Sequence, residues 1–187
     1  MNIYFFTMYQ NLSKYRYNLD RGRSKSFILL YELLDTLLIK WTPKPFNGWR
    51  NMLYRVFGAK IGKNVRIDPH AKLLYPWNIE IGNNVWIGYG CDLYSVNKII
   101  LGNDVALAHN IFLATAAHDI TKEEFPTISA PIIIEDEVWI SSGVFIQQGV
   151  TIHKGAVIAA CSLVTKDIPE GMVAMGHPAK PIKNRKQ

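Results

Sequence analysis

Cysteine is nearly absent: Cys91 and Cys161 are the only two in 187 residues. Two thiols make no disulfide framework, nor the four sulfur ligands of a structural zinc. Long apolar runs are also missing. The longest near the start, 27–39, is broken by Glu32 and Asp35 and falls short of the ~20 residues that cross a bilayer. Residues 1–20 hold no basic start followed by an apolar stretch and a small-residue cleavage site, so a cytoplasmic protein is expected. No recognition helix, zinc-finger spacing or RNA-binding aromatic motif occurs, which argues against nucleic acid as a partner. The five histidines include no His-x4-His pair, and no metal is expected.

What is present is a globular composition, 49% hydrophobic and 19% charged, with charge divided unevenly. Residues 1–60 carry 10 Lys/Arg against 3 Asp/Glu, residues 61–170 carry 7 against 12, and residues 171–187 carry 4 against none. Both ends are basic and the middle is acidic. Basic ends attract phosphates, whether of lipids or of coenzymes.

The middle repeats itself. Ile61-Gly62-Lys63-Asn64-Val65, Ile81-Gly82-Asn83-Asn84-Val85 and Leu101-Gly102-Asn103-Asp104-Val105 recur every 20 residues. Within that period lies one of six. Aliphatic residues fall at 61, 67, 73; at 81, 87, 93; at 101, 107, 113; and at 134, 140, 146, 152, 158, 164. A small or β-branched residue follows four places later, except at Trp77 and Asn97. A period of six fits neither a helix nor an ordinary alternating strand. It suits a chain that runs straight, turns a corner and points one large residue inward per side, three sides to a coil. The pattern predicts a mainly β fold, a parallel β-helix of about five triangular coils over 61–169. The two extra residues of each 20-residue period are expected at corners near Ile79-Glu80 and Ile99-Ile100.

Two stretches depart from the rule. The period stops after Leu113 and resumes at Ile134, leaving an irregular protruding loop over 114–133 that holds His118. Irregular stretches of this length inside a compact solenoid tend to be functional. Residues 1–60 read instead as a helical cap segment: one helix over about 25–40 capped by Ser24, a break at Pro43 and Pro45, and a second over about 46–57. They would cover the open first coil. A membrane-surface role, with Arg21, Arg23, Lys25, Arg50 and Arg55 near lipid phosphates, is compatible with that. Residues 170–187 form a basic tail.

The hexapeptide register, the loop carrying His118, Val138-Trp139-Ile140, and Val164–Pro169 through Gly176-His177-Pro178-Ala179-Lys180 resemble the hexapeptide-repeat O-acetyltransferases. Trp-Thr-Pro at 41–43, Phe57–Gly62 and Tyr75-Pro76-Trp77 are similar to the branch acting in colanic acid biosynthesis. The resemblance covers about residues 25–183. It implies a left-handed β-helix, a homotrimer, acetyl-CoA as donor and an active site between neighbouring subunits. It also implies a saccharide acceptor from a surface polysaccharide precursor, including a lipid-linked one at the inner membrane face. A different small acceptor (serine, an amino sugar or a xenobiotic) and a non-catalytic β-helical scaffold are the rival readings.

Attack of a sugar hydroxyl on a thioester needs a base, which a histidine partly neutral near pH 7 provides. His118 matches the family's catalytic histidine, and Asp119, Glu123 or Glu124 could orient its ring. Ser142, Ala160 and Thr165 match small residues along the donor, and Lys166, Lys180 and Lys183 match phosphate-facing positions. Asp92 and Trp139 are the candidate acceptor contacts. Cys91 reads as core, Cys161 has no evident base beside it, and His70, His109, His153 and His177 carry less weight.

Overall fold

The structure, a computed structural model, describes residues 9–186. The expected lack of a secretory signal thus falls partly on residues 1–8, outside the described residues.

The six-residue period builds three flat faces. The first face stacks Lys60–Ile61, Ile79–Ile81, Ile99–Leu101, Ile132–Ile134 and Thr151–Ile152. The second stacks Arg66–Ile67, Trp86–Ile87, Ala106–Leu107, Trp139–Ile140, Val157–Ile158 and Met172–Gly176. The third stacks Lys72–Leu73, Asp92–Tyr94, Phe112–Ala114, Phe145–Gln147 and Leu163–Val164. Pairing between coils is parallel and in register, as in Ile61↔Ile81 and Ile87↔Leu107. Five complete coils are followed by a sixth, begun by the Ile152↔Ile168 bridge and by Met172–Gly176 beside Val157–Ile158. The expectation of five is therefore short by that last turn. The basic tail is itself a strand: Ala179–Asn184 folds back antiparallel on Met172–Gly176.

The aliphatic column fills the prism. Of the positions on the period of six, only Ile61 in the first coil is half-buried; the others are at most 5% exposed. Trp77 and Asn97 break the pattern because the two extra residues enter beside them. These lie at the corner before the first face, in Pro76–Asn78 and its counterpart one coil on, not at Ile79-Glu80 or Ile99-Ile100, which are strand.

Another corner shows why Asn and Asp recur. Asn64, Asn84 and Asp104 have φ between 54° and 58°, where a short amide or carboxylate side chain is tolerated. Their side chains form a ladder: Asn64 donates to Asn84 at 3.1 Å and Asn84 to Asp104 at 2.9 Å. Just before them, a Cβ on Gly62, Gly82 or Gly102 would come within 2.4–2.6 Å of the next coil.

The first coil needs a lid because its carbonyls have no coil beneath them. Helix α1 (Lys25–Leu38) and helix α2 (Asn47–Val56) supply it, close to their expected bounds, with Ser24 accepting from the Phe27 N–H at the start of α1. Side chains do the capping. Tyr31 donates to Leu73 O, Asn51 to Val65 O, Arg50 to Ile67 O and Arg55 to Ile61 O and Gly62 O. Arg50 is fully buried. Both arginines cap the edge of the solenoid; the buried Arg50 is out of reach of lipid phosphates, a correction to its expected place, while Arg55 stays exposed.

Candidate active site

The interruption at 114–133 is ordered. Ala116–His118 pairs antiparallel with Thr127–Ser129, His118 opposite Thr127, as a hairpin arm leaving the corner between the third and first faces. The irregular loop expected there is confined to the arm's tip.

His118 ends the arm's first strand, exposed, with its ring held on three sides. Its Nδ1 lies 2.9 Å from the Phe125 carbonyl. A carbonyl only accepts, so Nδ1 carries the proton, and Nε2 of the neutral ring is the free lone pair. The Phe125 ring stacks on the imidazole at 4.3 Å and 7°, and the Tyr15 ring meets it edge-on at 5.7 Å. Phe125 has a φ of 51°, a conformation that costs a bulky residue of order 1–3 kcal/mol. That backbone turn sets both the Phe125 carbonyl and its ring against His118.

The three carboxylates expected to orient this ring do not. Asp119 accepts from the Thr121 N–H and hydroxyl at 3.0 and 2.6 Å, bonds that hold its carboxyl below the ordinary range. Glu123 pairs with Lys14 at 2.9 Å, which likewise lowers it. Glu124 makes no hydrogen bond or ion pair among the described residues. The orienting group is a backbone oxygen, set by the turn rather than by a side chain.

A strap from the far end of the chain covers the arm. The Asn11 N–H donates to Glu123 O at 2.7 Å, and the Tyr15 hydroxyl bonds Thr127 Oγ1 at 2.8 Å. Asn18 exchanges two 3.2 Å bonds with the Thr127 backbone. Sequence reasoning missed Tyr15, Asn18 and Phe125. The strap partners are 109 or more residues apart and follow no period.

The other expected residues are spread over two edges and two faces of the prism. Thr165 and Lys166 follow the third face at the corner from which the His118 arm leaves, two coils further on. Ser142 and Ala160 lie at the corner between the second and third faces, where Ser142 Oγ accepts from the His109 N–H at 3.4 Å. Trp139 is on the second face, 47% exposed, in a groove of ≈ 750 Å³ that also takes in Trp86, Tyr89, His109, Arg66 and Lys44. Lys180 and Lys183 are exposed on the terminal strand at the end of that face. Asp92 is on the third face between Lys72 and Phe112, with Lys72 at 3.6 Å. One of its oxygens is buried without a hydrogen bond, and burial raises its pKa. The single chain brings His118 and the aromatic groove to different faces.

Cys91 is core, 1% exposed, and Cys161 is an exposed corner residue at φ 56° whose carbonyl contacts His177 Nε2. His70 sits with Asp68 and His153 with Glu135. Among the described residues no group of three or more His, Cys, Asp or Glu is arranged to hold a metal ion.

Comparison with known proteins bears on the same features. The bacterial transferase hexapeptide model (six repeats) matches residues 131–166. The Escherichia coli protein named colanic acid biosynthesis acetyltransferase WcaF is 36% identical over 88% of this chain and 91% of its own. The E. coli galactoside O-acetyltransferase is 35% identical over 72% of this chain and 68% of its own. Among solved structures, the Vibrio cholerae hexapeptide-repeat acetyltransferase VCA0836 complexed with acetyl coenzyme A superposes with a TM-score of 0.80 at 27% identity, over 89% of this chain and 92% of that one. The fold these share is the left-handed parallel β-helix. Nearly full-length alignment in sequence, and the same stack of coils in three dimensions, make this chain a member of the hexapeptide-repeat acetyltransferases.

Proposed function

We propose that the protein transfers the acetyl group of acetyl-CoA directly to a hydroxyl of a sugar in a surface polysaccharide precursor, with His118 as general base. The observation that carries the reading is the Phe125 carbonyl on Nδ1, which leaves Nε2 as the basic nitrogen. His118 takes the proton of the attacking hydroxyl as its oxygen bonds to the thioester carbonyl carbon. The imidazolium so formed is steadied by the Phe125 carbonyl and the facing Phe125 ring. The C–S bond then breaks, and the imidazolium returns the proton to the leaving sulfur, giving CoA and an O-acetyl sugar.

A homotrimer supports this chemistry. His118 and the Trp86–Trp139 groove lie on different faces of one chain, and a neighbouring copy can bring the second face of one subunit to the arm of another. Trp139 then offers an aromatic face to the acceptor, and Asp92 a carboxylate. Ser142, Ala160 and Thr165 leave room for the donor's thin arm. Exposed Lys166, Lys180 and Lys183 suit its phosphates as point charges. Relatives named for colanic acid biosynthesis and galactoside acetylation, and solved relatives holding acetyl coenzyme A or coenzyme A, favour this donor and acceptor class.

The test is CoA release with a panel of saccharide acceptors, for the wild type and His118→Asn. Asparagine can still donate to the Phe125 carbonyl but offers no base. Turnover is expected to fall about 10²–10⁴-fold, with acetyl-CoA affinity by calorimetry unchanged. A variant within threefold of wild-type turnover would overturn the role of His118.

A further inference from the structure

Helix α1 is apolar on both sides. Ile28, Tyr31 and Asp35 face the first coil and are buried, while Leu29, Leu33 and Leu37, spaced four apart on the opposite side, are 65%, 55% and 57% exposed. Helix α2 adds Trp49 and Val56, and between the helices Trp41 is 82% exposed. Trp49 Nε1 donates to Leu38 O at 2.9 Å, tying the two helices into one surface. An apolar notch of ≈ 360 Å³ opens beside Trp41 and Phe46. An exposed row of leucines joined to tryptophans from a neighbouring helix is a larger apolar patch than a free surface usually keeps, and is normally covered. None of these outward residues is needed to close the first coil, which the buried side already does.

Charge decides what covers it. Of the eight Lys/Arg in residues 21–60, Arg50 is buried, Arg55 caps Ile61 O and Gly62 O, and Lys40, Lys44 and Lys60 pair with Asp35, Asp68 and Glu80 at 3.5, 3.5 and 3.0 Å. That leaves three cations at the start of α1 against the exposed Glu32. Arg21, Arg23 and Lys25, at the start of α1, form no ion pair among the described residues. A second copy of this chain would set that cationic surface against itself. A bilayer with anionic headgroups accepts both features: leucines at the acyl boundary, tryptophans at headgroup level and cations among the phosphates. With 14 residues, α1 is too short to span and long enough to lie flat, and no helix among the described residues is long and apolar enough to cross a membrane.

We infer that the outward face of α1 and α2, centred on Leu33, Leu37 and Trp41, docks the protein on an anionic membrane surface. The surface is separate from the His118 arm, so the inference stands or falls independently of acetyl transfer. The connector between the helices also lends Lys44 and Pro45 to the Trp86–Trp139 groove. Docking sets that groove beside the bilayer, a placement suited to a sugar carried on a lipid.

The test is co-sedimentation of the full chain with phosphatidylcholine vesicles, with and without phosphatidylglycerol, for the wild type, Leu33→Glu/Leu37→Glu and Trp41→Ala. Thermal melts and sedimentation velocity accompany each variant. Wild type is expected to pellet with the anionic vesicles and to release as salt is raised. The double variant should bind more than about tenfold more weakly, with its melting temperature and assembly mass unchanged, and Trp41→Ala should fall between. Failure of the wild type to bind anionic vesicles, or equal binding by the double variant, would overturn the inference. A drop in assembly mass for the double variant would assign the face to a second copy of the chain instead.

Discussion

Replacing Arg50 with methionine separates two fates for the same residue. The guanidinium makes five hydrogen bonds: to Ile67 O at 3.0 Å, Thr42 Oγ1 at 2.9 Å, Pro43 O at 2.8 Å, Lys44 O at 2.6 Å and Asn47 Oδ1 at 3.0 Å. It therefore fastens the α1–α2 connector to the first coil. Methionine donates nothing: Ile67 O loses its donor in the buried first coil, while each of the four part-buried bonds to the connector is lost at about 0.5–1.5 kcal/mol. The orphaned buried acceptor adds about 1–3 kcal/mol. Part of that is recovered, because burying an unpaired guanidinium is itself unfavourable. A net loss of about 3–5 kcal/mol follows, which for a chain of this length is a fall in melting temperature of roughly 6–20 °C. Calorimetric melts of wild type and Arg50→Met measure it, with Arg50→Lys in between, because an ammonium cannot span all five acceptors. The reasoning fails if Arg50→Met melts within about 2 °C of wild type. It fails equally if the variant keeps its stability and loses only vesicle binding, the outcome expected of a lipid contact.

Tyr15→Ala removes the ring edge on His118 and the bond to Thr127, worth together about 1–3 kcal/mol of positioning. If all of that is felt in the transition state, kcat falls about 5- to 150-fold with acetyl-CoA affinity unchanged, while Tyr15→Phe loses only the hydroxyl's part; unchanged kcat in Tyr15→Ala would reduce the strap to packing. Asp35→Asn probes pH. Burial raises the Asp35 pKa above its ordinary 3.8, and Lys40 only partly opposes this. The folded state therefore holds this proton more tightly than the unfolded chain, and the resulting stability is full below pH 3.8 and lost as pH rises through the folded pKa. The variant has no such proton to lose, so its melting temperature should gain on wild type between pH 4 and pH 7; a constant difference would refute the assignment.

The sequence determined the solenoid outright. One inward aliphatic residue every six positions, a small one four later, and Asn or Asp at left-handed corners repeat the same local environment, so each coil is written in its own residues. Ser24 announced the start of α1 because a helix N-cap is a contact over three residues. His118 was legible through a motif. What surrounds it was not. The Phe125 carbonyl reaches the ring only because of one backbone turn at φ 51°, and Tyr15 and Asn18 meet the arm from more than 100 residues away. Arg50 and Arg55 looked like surface cations by composition. Only the assembled structure reveals that the first coil leaves carbonyls unpaired, that these two guanidiniums lie over them, and that leucines instead face outward. Periodicity records environments that repeat along the chain; an edge, a strap and a clamp each occur once, between segments that only folding brings together.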